Sequence, residues 1–116
     1  MTHHEDIVRL NHMLDYSKEA VNFNKGKKRA DLEVDKVLAL ATVRCIEVIG
    51  EAVTTISDEM KERYPELPWH SISGTRNRLA HGYEDVNLDV IWAIVTRDLP
   101  SLIIQLERVI QEETKV

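Results

Sequence analysis

A 26-residue stretch, Asp31 to Ile56, constrains the fold of this chain more than any other feature. Val34, Val37, Leu38, Ala41, Ile46, Val48, Ile49, Ala52, Val53 and Ile56 cover more than one helical stripe along it. A helix that is apolar on several sides is buried on several sides, so this segment is read as the centre of a helical bundle, capped by Asp31. The rest of the chain offers helices to surround it. Thr2-x-x-Glu5 forms a capping box, followed by Ile7, Leu10, Leu14, Ser17 and Val21 at helical spacing, with fraying near Asn22 to Gly26. Ser57 to Arg63 reads as a short helix or turn, and Pro65 and Pro68 break the chain. Trp69 to Ala80 reads as a further helix with Gly82 suited to end it. Asn87 caps a last helix, Leu88 to about Glu113, which Pro100 should kink or interrupt.

The expectation is one all-α domain, residues 1–116, of four to five helices. With 116 residues the chain suits a single core, and its 43% apolar and 30% charged residues are ordinary for a globular protein. A net charge of -5 argues against indiscriminate binding to nucleic acid or anionic membranes, without excluding a local basic site. The single cysteine, Cys45, cannot form an internal disulfide and reads as a small apolar core residue, consistent with a reducing cytoplasm. No signal peptide is evident, and apolar runs such as Val37 to Ala41 are far too short to span a bilayer.

The chemistry concentrates in Arg76-Asn77-Arg78-Leu79-Ala80-His81-Gly82-Tyr83. An arginine presents a permanent forked cation suited to phosphate, and a histidine exchanges protons near neutral pH. Together they suffice for metal-free cleavage of RNA, whose 2′-OH is a built-in nucleophile. His81 suits the acid or base, Arg76 the stabilisation of phosphoryl charge, and Asn77 the orienting of either. Arg78 either binds phosphate or stays solvated. Arg76 and His81 lie roughly 140° apart around one helix, so a composite site is easier to build across a two-fold axis, from two copies of the segment. Taken alone, an Arg-x4-His spacing is also what a solvated helix face produces by chance.

The Arg-x4-His-x-Tyr string resembles the signature of the HepT-like toxins, a branch of the HEPN superfamily. Arg44-Cys45-Ile46-Glu47-Val48-Ile49-Gly50-Glu51-Ala52 is similar to that family's second-helix pattern, and Trp69, Ile72 and Trp92 are similar too. The resemblance, over roughly Leu32 to Leu106, implies an all-α HEPN-type bundle, a homodimer or higher oligomer with the motif at the interface, and a metal-independent RNase toxin without cofactor. Arg76 and His81 would be its catalytic pair and Asn77 a supporting residue. RNA, with tRNA and mRNA as candidates, would be the substrate. The implied partner is a minimal nucleotidyltransferase (MNT) antitoxin that transfers AMP to the motif tyrosine, here Tyr83. A second class stays open: a non-catalytic helical subunit that holds a nucleotide or substrate for a nucleotidyltransferase.

Some features carry two readings. Arg44, Glu47 and Glu51 are read as an intrahelical ion-pair set on a buried helix, with Glu47 near the cleft, tuning His81 or holding Arg76, as the sharper alternative. Gly50 suggests a close helix contact. Lys25-Gly26-Lys27-Lys28-Arg29 is either a solvated basic turn or an RNA contact. His3, His4 and His12 match no metal-ligand spacing and read as a solvated N-terminus, and His70 as a loop residue.

Overall fold

The computed structural model describes residues 2–79 and 87–115, without the side chains of residues 76–78. The expectations for Ala80, His81, Gly82 and Tyr83 therefore fall outside the described residues. The elements are α1 (His3–Phe23), α2 (Arg29–Val34), α3 (Lys36–Thr55), α4 (Asp58–Arg63), α5 (Trp69–Arg78), α6 (Leu88–Ala93), a π-helical turn (Ile94–Asp98) and α7 (Leu99–Glu113). The described residues contain no strand, and the expected all-α bundle is what the chain forms.

Two of the expected boundaries are sharp. The Thr2–Glu5 capping box is present at the start of α1, and the Asn87 side chain accepts from Asp89 N and Val90 N at the start of α6. Each saturates backbone donors that a first helical turn leaves open.

The long central helix is two helices. Asp31 does not cap it; its carboxylate accepts from Lys28 N at 2.7 Å, inside the short α2. The chain breaks at Asp35, which is extended (φ -105°, ψ 93°) and caps α3 by accepting from Leu38 N at 3.0 Å. The break also corrects the burial expected there. Val34 is 83% exposed and Val37 77%, because they flank the cap outside the helix packing.

Below the cap, α3 meets the expectation. Ala39, Val43, Ile46, Ile49 and Val53 are buried, and the helix packs on both α1 and α5, while α1 also packs on α7. Gly50 is buried within it. Cys45 is buried too, and desolvation, helped by nearby Glu19, pushes its thiol up to about 11. A buried hydrogen-bond chain fixes the register of α1 on α3: the Asn24 amide donates to Ala20 O and to Thr42 Oγ1, and Thr42 donates to Leu38 O.

Pro100 interrupts the last helix as expected, and the form of the interruption is a π turn. Proline has no N–H to offer Thr96 and its ring crowds that carbonyl. The helix widens, and Leu99 N bonds Ile94 O, five residues back.

Three distant segments meet at Glu113. Its side chain is only 8% exposed and accepts from Tyr64 Oη at 2.5 Å and Arg63 Nη1 at 2.5 Å, with His3 Nε2 at 2.8 Å. Near the same end, buried Asp6 accepts from Ser57 N and Ser57 Oγ, tying α1 to the cap of α4. The N-terminal histidines are thus not all free in solvent, since His3 docks on α7. At Glu113 desolvation pushes the carboxyl pKa upward, but the bonds from Tyr64, His3 and Arg63 outweigh it and bring it from 4.5 to about 2. A lowered folded-state pKa contributes stability above the unfolded value, and that contribution is lost as pH falls towards the folded one. Glu113→Gln should therefore lower the thermal midpoint at pH 7, and the gap to the wild type should close between pH 4.5 and 2, as followed by circular dichroism melts.

Candidate functional site

The helix that carries the Arg-rich motif is built to hold still. Pro68 opens α5, its carbonyl accepting from Ile72 N at 2.9 Å. Trp69, Ile72, Thr75 and Leu79 are buried at helical spacing, which seats α5 on α3. The Trp69 indole donates to Tyr64 O at 2.9 Å and so fixes the entry of the helix against the preceding loop. Hydrogen bonding continues to Leu79 N, which bonds Thr75 O. Arg76, Asn77 and Arg78 occupy the last turn of α5. A helix C-terminus carries partial negative charge, which favours cations at these positions. His70 is in the first turn of α5 and exposed, not in a loop.

On α3, Arg44 and Glu51 form part of the expected intrahelical ion-pair set. Arg44 is exposed and its Nη1 lies 3.6 Å from Glu51 Oε1, an ion pair in solvent worth at most about 1 kcal/mol. Glu47 is half-buried and has no hydrogen bond or ion pair among the described residues. The basic turn between α1 and α2 leaves Lys25, Lys27 and Lys28 exposed, with Gly26 at φ +75° as the turn requires. Arg29 is engaged by Glu33 and Asp89, which clamps α2 to α6.

Where α5 faces the π turn and the start of α7, a cavity of about 330 Å³ opens. Ile46 and Ile49 of α3 form part of its wall, with Ile72 and Thr75 of α5 and Arg97, Asp98 and Gln105 from the other side. Sequence periodicity did not single it out. The signal that bore on it was Pro100, since the widened turn places Arg97 and Asp98 at the mouth. Among the described residues no group of three or more His, Cys, Asp or Glu is arranged to hold a metal ion, and no helix is long and apolar enough to cross a membrane.

A family model described as Ribonuclease HepT-like matches residues 13–109, a span that contains α3, the whole of α5 and the cavity. The chain belongs to the HepT-like ribonuclease family. Similar proteins include one from Caldanaerobacter subterraneus subsp. tengcongensis, provisionally named an RNase, 36% identical over 104 residues, 90% of this chain and 93% of its own. Another, from Methanocaldococcus jannaschii and also provisionally named an RNase, is 32% identical over 100 residues, 86% of this chain and 83% of its own. A Thermococcus cleftensis protein named probable ribonuclease HepT is 39% identical over 72 residues, 62% of this chain and 66% of its own. No solved structure matches the chain.

Gly74 sits in this HepT-like chain's motif helix with open space around it, since a Cβ there would meet nothing within 4 Å. Glycine inside a helix costs roughly 0.5–1 kcal/mol relative to alanine. Gly74→Ala should therefore stabilise the fold by about that amount, measured by urea unfolding. A destabilised variant would show that something packs against α5 at this position.

Proposed function

We propose that the protein is a metal-independent endoribonuclease toxin whose site is assembled from two copies of the Arg76 to Tyr83 segment. The observation that carries the reading is the family match across residues 13–109, on a chain that retains the complete Arg-x4-His-x-Tyr string. Elementary chemistry assigns the roles. The substrate's 2′-OH attacks the adjacent phosphorus, the P–O5′ bond breaks, and a 2′,3′-cyclic phosphate and a 5′-hydroxyl result. His81 moves one of the two protons, as base or acid, and water the other. Arg76 stabilises the charge on the phosphoryl oxygens with its planar fork. Asn77 orients the histidine or the phosphate, and Arg78 adds phosphate affinity. Glu47 is a supporting carboxylate in this reading, available because nothing described engages it.

The dimer reading draws support from surface chemistry. Val34, Val37 and Leu40 are exposed apolar side chains near the α2–α3 junction, of the kind that interfaces cover. Tyr83 is the proposed control point. AMP transfer to its phenol by a nucleotidyltransferase partner adds a bulky nucleotide and a phosphodiester charge, which Arg76 or Arg78 then holds in place of the RNA phosphate.

Purified protein should cleave RNA in the presence of EDTA. His81→Ala should lower the rate by roughly 10²–10⁴-fold, and Arg76→Lys should be nearly as poor, because a point charge does not replace a bidentate fork. Undiminished cleavage by both variants, or cleavage that stops with chelator, contradicts the mechanism. Tyr83→Phe should keep most of the activity yet escape neutralisation on co-expression with the cognate nucleotidyltransferase. Mass spectrometry that places the adduct on Tyr16 or Tyr64 would move the switch elsewhere.

A further inference from the structure

The 330 Å³ cavity beside α5 has the size and the lining of a small-ligand site. Its walls are aliphatic: Ile46 and Ile49, Ile72, Ile94, Leu99 and Leu102. Thr75 donates its hydroxyl to Ile72 O, but the exposed polar groups of the lining are poorly used within the fold. Gln105 makes one long bond, to Glu66 O at 3.5 Å, near the limit of a hydrogen bond. Ser71 and Ser101 line the cavity, are exposed, and have no described hydrogen bond through their hydroxyls. Among the described residues Arg97 reaches only its neighbour Asp98, at 3.5 Å, and both are exposed. The π turn that presents Arg97 and Asp98 is itself an irregularity of a kind that recurs at functional sites.

We propose that this cavity is a nucleobase pocket that receives an unstacked base of the RNA strand beside the scissile phosphate. The proposal rests on the ribonuclease reading above. A base needs flat apolar surroundings for its faces and donors and acceptors for its edge, and sequence-dependent RNA recognition targets bases that are splayed out of the stack. The cavity supplies both. The Gln105 carboxamide offers a donor and an acceptor in one plane, and the serine hydroxyls serve in either role. A phosphate is the poorer occupant, because Arg97, the one cation among the described lining residues, is balanced by Asp98 and the walls are apolar. An aliphatic side chain of a protein partner is also poorer, because it leaves the mouth's polar groups without partners once water is excluded. Position decides the rest. The helix whose Ser71, Ile72 and Thr75 wall the cavity continues directly into Arg76, so a base held here has its own backbone close to the last turn of α5.

The test uses Ser101→Trp, which fills the mouth from an exposed position on α7, and Gln105→Leu, which removes the edge contact. Both should melt within a few degrees of the wild type. On a pool of single-stranded RNAs of randomised sequence, the wild type should show a base preference next to the cut. Ser101→Trp should cut preferred sites at least tenfold more slowly and lose the preference, and Gln105→Leu should alter which base is preferred. His81→Ala, in contrast, should slow all sites alike. Saturation-transfer NMR with adenosine, guanosine, cytidine and uridine is run on the same proteins. At least one nucleoside should bind the wild type, with its signal lost in Ser101→Trp. Unchanged preference in both variants overturns the pocket while leaving the ribonuclease reading intact. If the wild type cuts no RNA, the ribonuclease reading fails, and nucleoside binding alone decides the pocket. Binding of none of the four overturns it.

Discussion

Burial of α3 on two sides is the constraint around which the rest of this chain is arranged. Its side chains serve α1 on one side and α5 on the other, so neither neighbour can shift without exposing aliphatic surface, at about 25 cal/mol per Å². The Asn24–Thr42 bond then fixes the register of α1 from within the core. On the other side Trp69, Ile72, Thr75 and Leu79 do the same for α5. The last turn of α5, where Arg76 to Arg78 stand, is thereby positioned by the most deeply packed element of the fold. A site that must hold a cation against a phosphate gains from such a base, because small displacements of positioning groups cost rate.

The parts of this architecture legible in the sequence are those written in local chemistry. The Thr2–Glu5 box, the Asn87 cap and the Pro100 interruption each depend on residues within one turn of one another. The division at Asp35 was harder to see, because an aspartate between apolar residues reads equally as a helix surface position and as a cap. Only the backbone conformation distinguishes the two, and with it the exposure of Val34 and Val37. The Glu113 cluster had no local signal at all. Its partners Tyr64 and His3 lie 49 and 110 residues away, and only the packing of α1, α4 and α7 brings them together. Arg44, Glu47 and Glu51 were read as an intrahelical ion-pair set, and of the three Arg44 and Glu51 pair, at the partly exposed edge of α3.

The motif was legible in the sequence as chemistry, and its His81 and Tyr83 lie outside the described residues. Residue types and spacing pointed to Arg76 and His81 and to a site shared between two copies, and family membership agrees with the chemistry. The cavity is the converse case. Its lining comes from three separate stretches of chain, on helices whose apolar residues read simply as core, so that no window of sequence marks it. It lies where α5, packed on α3, faces the π turn and the start of α7.

The central claim is that arginine from one copy and histidine from another make one site, and a complementation assay tests it most directly. Arg76→Ala and His81→Ala proteins are purified separately, then unfolded and refolded together, and RNA cleavage is measured in EDTA. Each variant alone should be inactive. If the pair acts across the interface, every mixed dimer holds one intact composite site, and the mixture should regain about a quarter of wild-type activity at equal proportions. If both residues act from the same chain, no intact site forms, and a mixture as inactive as its components would contradict the account.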